Sequence, residues 1–447
     1  MNPEFKRNLW LQISPARLVL MPALIALALA TAFSLLPRPG AIMLSLSVFC
    51  FAILTIICGL FQAGNALSQE FIDGTWDSQR MSALTPWQMT WGKLFGGTIY
   101  AWYGGIMLLA IAGFCSFEPM DIILIKGVGL ICTALIVHIS ALLSVLLAHR
   151  TNPGGNSRLN LGGLAILFLL LLLAFFNVGR RLDATSMLWW RQDWNSLHFM
   201  IATLAFLAVW ALIGLWEMMR RELMLRNRVW WWPVFLSFWL IWKAGFVQDS
   251  LQSQQLWDPF LISKTWASYF ASSAIVIGLS GYLLLFTVRK DQGMWLRLLA
   301  ASRSKRLWQH LESGWLISFI IAIGLGTVAV FLSQDVIANL ILFLGVCAFV
   351  ARDIVWIFWL NLVITNPRRT TAAALVSLIV AYGLLPFLFP VGEVGHIFLF
   401  MPLSSITRGI HSSGYLTSLT PLADALIQAA LCIGLFYRRW RSLFHHS

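Results

Sequence analysis

Residues 41–62 read AIMLSLSVFCFAILTIICGLFQ, residues 63–93 read AGNALSQEFIDGTWDSQRMSALTPWQMTWGK, and residues 94–116 read LFGGTIYAWYGGIMLLAIAGFCS. The two outer pieces carry no charged side chain, and each supplies the roughly 20 apolar residues that a helix needs to cross a bilayer. The middle piece is half polar and punctuated by Asp73-Gly74 and Thr85-Pro86. A helical hairpin of two membrane spans joined by a structured polar elbow is the simplest reading. The rest of the chain repeats its apolar theme.

Of the 447 residues, 59% are hydrophobic and 11% charged, and the mean hydropathy is +0.79. A soluble globular protein carries about 25% charge, so this composition excludes a water-soluble enzyme, a disordered chain and a disulfide scaffold. The 23 Trp suit a protein with two membrane interfaces to anchor. Apolar runs at 18–36, 41–62, 94–116, 122–147, 161–178 and 198–217 are followed by a second set at 231–246, 266–288, 313–333, 336–362, 371–389 and 421–437. The expectation is an all-α polytopic membrane protein of about 12 transmembrane helices in two tandem six-helix halves, 1–229 and 230–447. Lys6, Arg7 and Arg17 before an apolar run ending in Ala30-Thr31-Ala32 imitate a cleavable signal, but the span count needs this segment as an uncleaved first span.

Orientation follows from the basic residues. With a cytoplasmic N-terminus, most of the 31 Lys and Arg fall on the cytoplasmic side, including Arg220, Arg221, Arg226 and Arg228, a run from Arg289 to Arg306, and Arg438, Arg439 and Arg441. Both termini are then cytoplasmic, and the protein belongs in the cytoplasmic (inner) membrane. Positive-inside sorting accounts for the net charge of +13 without nucleic acid as a partner.

The chain lacks the motifs of enzymes that act on nucleotides, zinc or esters. There is no G-x-x-x-x-G-K-[ST], no H-E-x-x-H and no G-x-S-x-G. The six cysteines, Cys50, Cys58, Cys115, Cys132, Cys347 and Cys432, sit in or at the edges of apolar stretches and suggest neither a metal site nor a disulfide framework. His138 is the one histidine deep in a span and reads as a hydrogen-bonded core residue. Apart from Glu217 at the end of the sixth span and Asp424 in the first turn of the last, only Asp353 among the acids falls within a span, beside Arg352, which predicts a pair near the cytoplasmic interface. With neither a nucleotide site nor an intramembrane acid relay, the protein must get its energy elsewhere or use none.

Within the elbow, Asp73 is expected to cap a short helix that places Trp76, Arg80 and Ala83/Leu84 on one face and Thr75, Ser78, Gln79 and Ser82 on the other. Thr85 as N-cap, Pro86 at the first helical position and Gln88 two residues on predict a capping box that opens the helix into the third span. Lys93 is expected to snorkel at the interface. Such a segment is either an interfacial anchor or a docking element for a cytoplasmic partner.

These residues resemble the first cytoplasmic loop of the ABC-2 type ABC transporter permeases. That family has an acidic residue, then Gly-Thr, a leucine, a Ser/Thr-Pro and a Gly-Lys entering the next span, matched in order here by Glu70, Gly74-Thr75, Leu84, Thr85-Pro86 and Gly92-Lys93. The opening Asn2-Pro3-Glu4-Phe5, followed by Arg7-Asn8, also looks like members of a bacterial group within the family. The resemblance implies a permease subunit, an exporter, whose segment Glu70–Arg80 contacts a separate cytoplasmic ATPase. On that basis the ATPase-coupling loop comprises Glu70, Asp73, Gly74, Thr75, Trp76, Arg80, Thr85, Pro86 and Lys93, and Trp76 is the apolar anchor in the partner's groove.

In the second half, Gln292-Gly293-Met294-Trp295 can be set against Asp73-Gly74-Thr75-Trp76, giving a second coupling loop at 289–312 with Gly293, Trp295 and Arg297, although it lacks the Thr-Pro. Two ATPase copies would dock on the two loops, with ATP and Mg on those subunits and no cofactor or metal on this chain. A second permease or an accessory subunit and the lipid bilayer complete the expected partners. In the family a re-entrant pair precedes the last span, which makes Arg408 and His411, within 390–420, candidates for an outer gate. The alternatives are a secondary carrier with twelve spans in two halves or a non-transporting membrane scaffold.

Overall fold

A computed structural model of the chain describes residues 2–35, 39–82, 84–151, 186–225, 230–247, 269–270, 273, 277, 314–332, 336–364, 373, 376–377 and 415–444. These residues are mostly helical. Four of the helices are long and apolar enough to cross a membrane, and six spans result if each of two bent pairs is one crossing. The expected span at 161–178, and nearly all of those at 266–288 and 371–389, lie outside the described residues, as do the loop 289–312 with Gly293, Trp295 and Arg297, and Arg408 and His411. The chain divides into two units, Met1–Met187 with Asp193–Asn227, and Leu188–Gln192 with Arg228–Ser447.

The first unit begins with α1 (Pro3–Gln12). Asn2 caps it, its side chain accepting from the Glu4 backbone N–H at 3.0 Å, and Pro3 takes the first helical position, where no N–H is needed. A bend of 68° at Ile13-Ser14 separates α1 from the apolar α2 (Pro15–Leu35). Next comes one long rod made of α3 (Pro39–Phe51), a π-helical segment Ala52–Cys58 and α4 (Gly59–Ile72). The elbow holds α5 (Thr75–Arg80) and α6 (Pro86–Trp91), which runs through a second π-helical segment, Gly92–Gly96, and a 59° bend into α7 (Ile99–Cys115). Then follow α8 (Met120–Thr151) and α9 (Ser196–Glu222).

The rod outruns its expected end at residue 62 by ten residues, for a packing reason. Leu60, Ala63, Gly64, Leu67 and Ser68 recur at helical spacing and are buried, and α4 packs along α8. At 1.5 Å per residue α8 is about 48 Å long, well beyond the roughly 30 Å of hydrocarbon. The two helices are therefore long enough to continue together beyond the hydrocarbon of a bilayer, and the elbow is mounted on their ends.

Both π-helical segments sit where helices approach closely. A Cβ added at Gly105 of α7 would lie 2.3 Å from Thr55 Oγ1 and 3.1 Å from the Phe51 ring. The His138 ring of α8 is fully buried over Gly59, and its Nε2 pairs with the Thr55 carbonyl at 2.8 Å. His138 is thus the hydrogen-bonded core residue expected, on a carbonyl in the π-helical turn. Gly105→Val is expected to destabilise the protein by about 1–3 kcal/mol through overpacking, read by unfolding of the purified protein in mixed micelles.

In the second unit, α10 (Trp231–Ala244), α11 (Gly314–Phe331), α12 (Val336–Val363) and α13 (Tyr415–Phe444) are the long described elements. Ala348 and Phe349 pack with Ala425, and Arg352 donates to Gln428 Oε1, so α12 and α13 run side by side in the same direction. Arg352 Nη2 and Asp353 Oδ1 form the expected pair at 2.8 Å. It lies in the middle of α12, buried against α13. Lys243, unremarked in the sequence, is completely buried near the end of α10. Its Nζ is 5.4 Å from the Trp239 ring centroid and 5.5 Å from that of Tyr269, and 3.4 Å from Ser273 Oγ. The Trp239/Lys243 spacing of one helical turn was the available signal. Among the described residues, the departure from an all-helical fold is a short hairpin, Ser186–Trp189 with Gln192–Asn195, turned by Trp190 and Arg191 at positive φ.

Candidate functional site

The elbow is built around the Lys93 ammonium group. An ammonium has three N–H donors, and here they reach three different helices. Nζ meets Glu4 Oε1 of α1 at 2.6 Å, the Glu70 carboxylate of α4, and Gln79 Oε1 of α5 at 2.7 Å. Lys93 itself belongs to the π-helical extension of α6, and its ammonium also lies 5.9 Å from the centroid of the Trp76 ring. One buried cation therefore ties four elements together. It does not snorkel, because two carboxylates inside the protein offer what interfacial water would have supplied.

Arg7 completes the network from the solvent side. Its Nη2 contacts Glu70 Oε1 at 2.6 Å and its Nη1 contacts Glu4 Oε2 at 3.3 Å. Two acids and two bases thus balance, which is the condition for keeping charges out of water. Glu4 and Glu70 each meet both cations, so no member can be removed without leaving a like or orphaned charge.

Small residues let α1 in. A Cβ at Gly92 would fall 2.6 Å from Glu4 Cβ, and one at Gly96 would fall 2.7 Å from Asn8 Cβ. Asn8 Nδ2 donates to the Gly92 carbonyl at 3.3 Å, and Asn2 Nδ2 donates to the Gln88 carbonyl at 2.6 Å. The N-terminal helix is therefore part of the elbow. Glu4, Arg7, Asn8 and Gln79 are members that the sequence did not single out. Asn2, Pro3 and Glu4 are a local signal for the start of a helix, which the sequence analysis did not use, and no local pattern pairs residue 4 with residue 93.

Three details of the expected elbow are corrected. Asp73 does not cap α5: it terminates α4, its N–H bonding the Gln69 carbonyl and its Oδ1 accepting from Gln69 Nε2 at 2.8 Å. Gly74 occupies the cap position of α5 with φ of 68°, a left-handed turn that a side chain would strain. Trp76 is not a surface anchor. It is 2% exposed and packs against Phe71, ring centroids 4.9 Å apart, in one apolar cluster with Leu67 and Met89. Gln79 shares its buried side, so Trp76 and Gln79 form the inner face. Arg80 leans outward onto Asp77 at 3.1 Å. The short helix had to show a face to the protein as well as to solvent, and the largest apolar side chain took the inside.

The outer face is consequently Asp73, Gly74, Thr75, Asp77 and Ser78, followed by Met81 at 83% exposure. Thr85 and Gln88 form the expected capping box, with Pro86 at the first helical position. Thr85 Oγ1 accepts from the Gln88 N–H at 3.3 Å, and Gln88 Oε1 accepts from the Thr85 N–H at 2.9 Å. The arrangement offers no nucleophile beside a base, and no group of three potential metal ligands occurs among the described residues. What it can do is mechanical: a braced, polar knob stands on the ends of two long helices. Compared with family models, curated proteins and solved structures, the chain matches none.

Proposed function

We propose that this chain is the transmembrane permease subunit of an ATP-binding cassette exporter of the ABC-2 type, embedded in the cytoplasmic membrane with both termini inside and driven by two copies of a separate ATPase. The observation that carries the reading is the order Glu70, Gly74-Thr75, Leu84, Thr85-Pro86, Gly92-Lys93 on an elbow whose first and last members are joined by an ion pair. A loop that must accept a push needs stiffness, and the Lys93 network supplies it across α1, α4, α5 and α6. Force on the outer face of α5 would tilt α4 and α7, since rigid-body motion of packed helices requires no chemistry from this chain. ATP and Mg would be held by the partner. A photo-crosslinking residue in place of Ser78 is expected to capture a P-loop ATPase in native membranes, whereas capture of no ATPase would contradict the reading.

One observation favours a second reading, a secondary carrier. Arg352 and Asp353 in mid-helix, and Lys243 elsewhere in the same unit, are buried ionisable groups of the kind that mark ion pathways. Transport that persists without ATP and collapses with the proton or sodium gradient would support it.

A further inference from the structure

The outward side of α1 has chemistry that the Lys93 network does not use. Glu4 and Asn8 face the protein and are buried, and Arg7 is engaged with both carboxylates, so the outward face carries Lys6 and Trp10, while Leu11, on the stripe of Glu4, is exposed at the end of the helix. Trp10 is 77% exposed and Leu11 68%. Beyond the 68° bend, Arg17 is exposed and folds its Nη1 back onto the Gln12 carbonyl at the end of α1, at 2.9 Å. One residue further on, α2 presents Leu18, Val19 and Leu20 outward.

With α2 crossing the bilayer, a helix bent 68° from it runs close to the membrane plane at the level where α2 enters. The order along the surface is then Lys6, Trp10 and Leu11, Arg17, and the apolar start of α2. Indole rings favour the headgroup boundary, acyl chains suit Val19 and Leu20, and two cations flank the indole at headgroup depth. Water would leave Trp10, Leu11, Val19 and Leu20 exposed at the same time. A zwitterionic headgroup would leave Lys6 and Arg17 without a net counter-charge.

We infer that the junction of α1 and α2 is a binding surface for an anionic phospholipid, its phosphate drawn to Lys6 and Arg17 and its upper acyl region packed on Trp10 and Val19. The surface is independent of any ATPase. Its occupancy would hold α1, and with it Glu4, against Gly92 and Lys93, so lipid charge would reach the elbow through α1.

The test uses the full-length protein reconstituted in vesicles of phosphatidylethanolamine and phosphatidylglycerol, or of phosphatidylcholine alone. Trp10 emission is isolated as the difference between the wild type and Trp10→Phe, and brominated phosphatidylglycerol is compared with brominated phosphatidylcholine as quencher. Each basic residue near an anionic surface contributes about a fivefold preference, so the phosphatidylglycerol is expected to quench at about 25-fold lower mole fraction. The Lys6→Gln/Arg17→Gln variant is expected to lose that preference while Trp10 remains quenchable, and Lys6→Arg should retain it. Equal quenching by both lipids in the wild type would overturn headgroup selection, and quenching by neither would overturn the membrane placement of α1.

Discussion

Lys93→Met is expected to destabilise the first unit by about 3–5 kcal/mol, the range measured when one partner of a buried ion pair is removed. The substitution leaves Glu4 and Glu70 beside each other with only Arg7 between them, on the solvent side. It also takes the partner from Gln79 Oε1, inside the elbow. Unfolding of the purified protein by sodium dodecyl sulfate in mixed micelles is the measurement. Adding Glu4→Gln and Glu70→Gln should recover part of the loss, because the penalty lies in unpaired charge and not in missing volume. A Lys93→Met protein within about 0.5 kcal/mol of the wild type, the ordinary range of surface substitutions, would show that the network does not brace the elbow.

Trp76→Ala is expected to cost about 3–5 kcal/mol, as for other buried aromatic truncations. The cavity would open between Phe71, Leu67 and Met89 and remove the surface over which the Lys93 ammonium lies. Proteolysis should then cut between α4 and α6 under conditions that spare the wild type. Trp76→Asp would do worse by burying a third carboxylate, so neither variant can serve as a probe of partner docking alone. An unchanged cleavage pattern in Trp76→Ala would contradict the inner placement of the ring. Probes of the surface belong at Ser78, whose side chain faces outward.

Local signals made much of this legible in the sequence. The Thr85 capping box, the helix into the third span, and the apolar character of 41–62 and 94–116 depend on neighbours within a turn or two, and the structure has all of them. What was not legible depended on contacts distant in sequence. Glu4 and Lys93 are separated by two apolar helices, and nothing near either residue announces the other. The inward turn of Trp76 follows from α4 extending to Ile72, which depends on α8 lying alongside it. Periodicity could group Trp76 with Arg80, but only packing could decide which side of the helix was inside. The burial of Lys243 depends likewise on Tyr269 and Ser273, more than 20 residues away, although Trp239 one turn before it was a local signal.

The most direct measurement is affinity purification of the chain from its native host in mild detergent, with identification of co-purifying proteins and an assay of ATP hydrolysis. The account predicts a stoichiometric P-loop ATPase with hydrolysis activity, both sharply reduced by Ser78→Trp while the variant's micellar unfolding stays within about 0.5 kcal/mol of the wild type. A clean preparation of folded protein with no ATPase and no hydrolysis would contradict it.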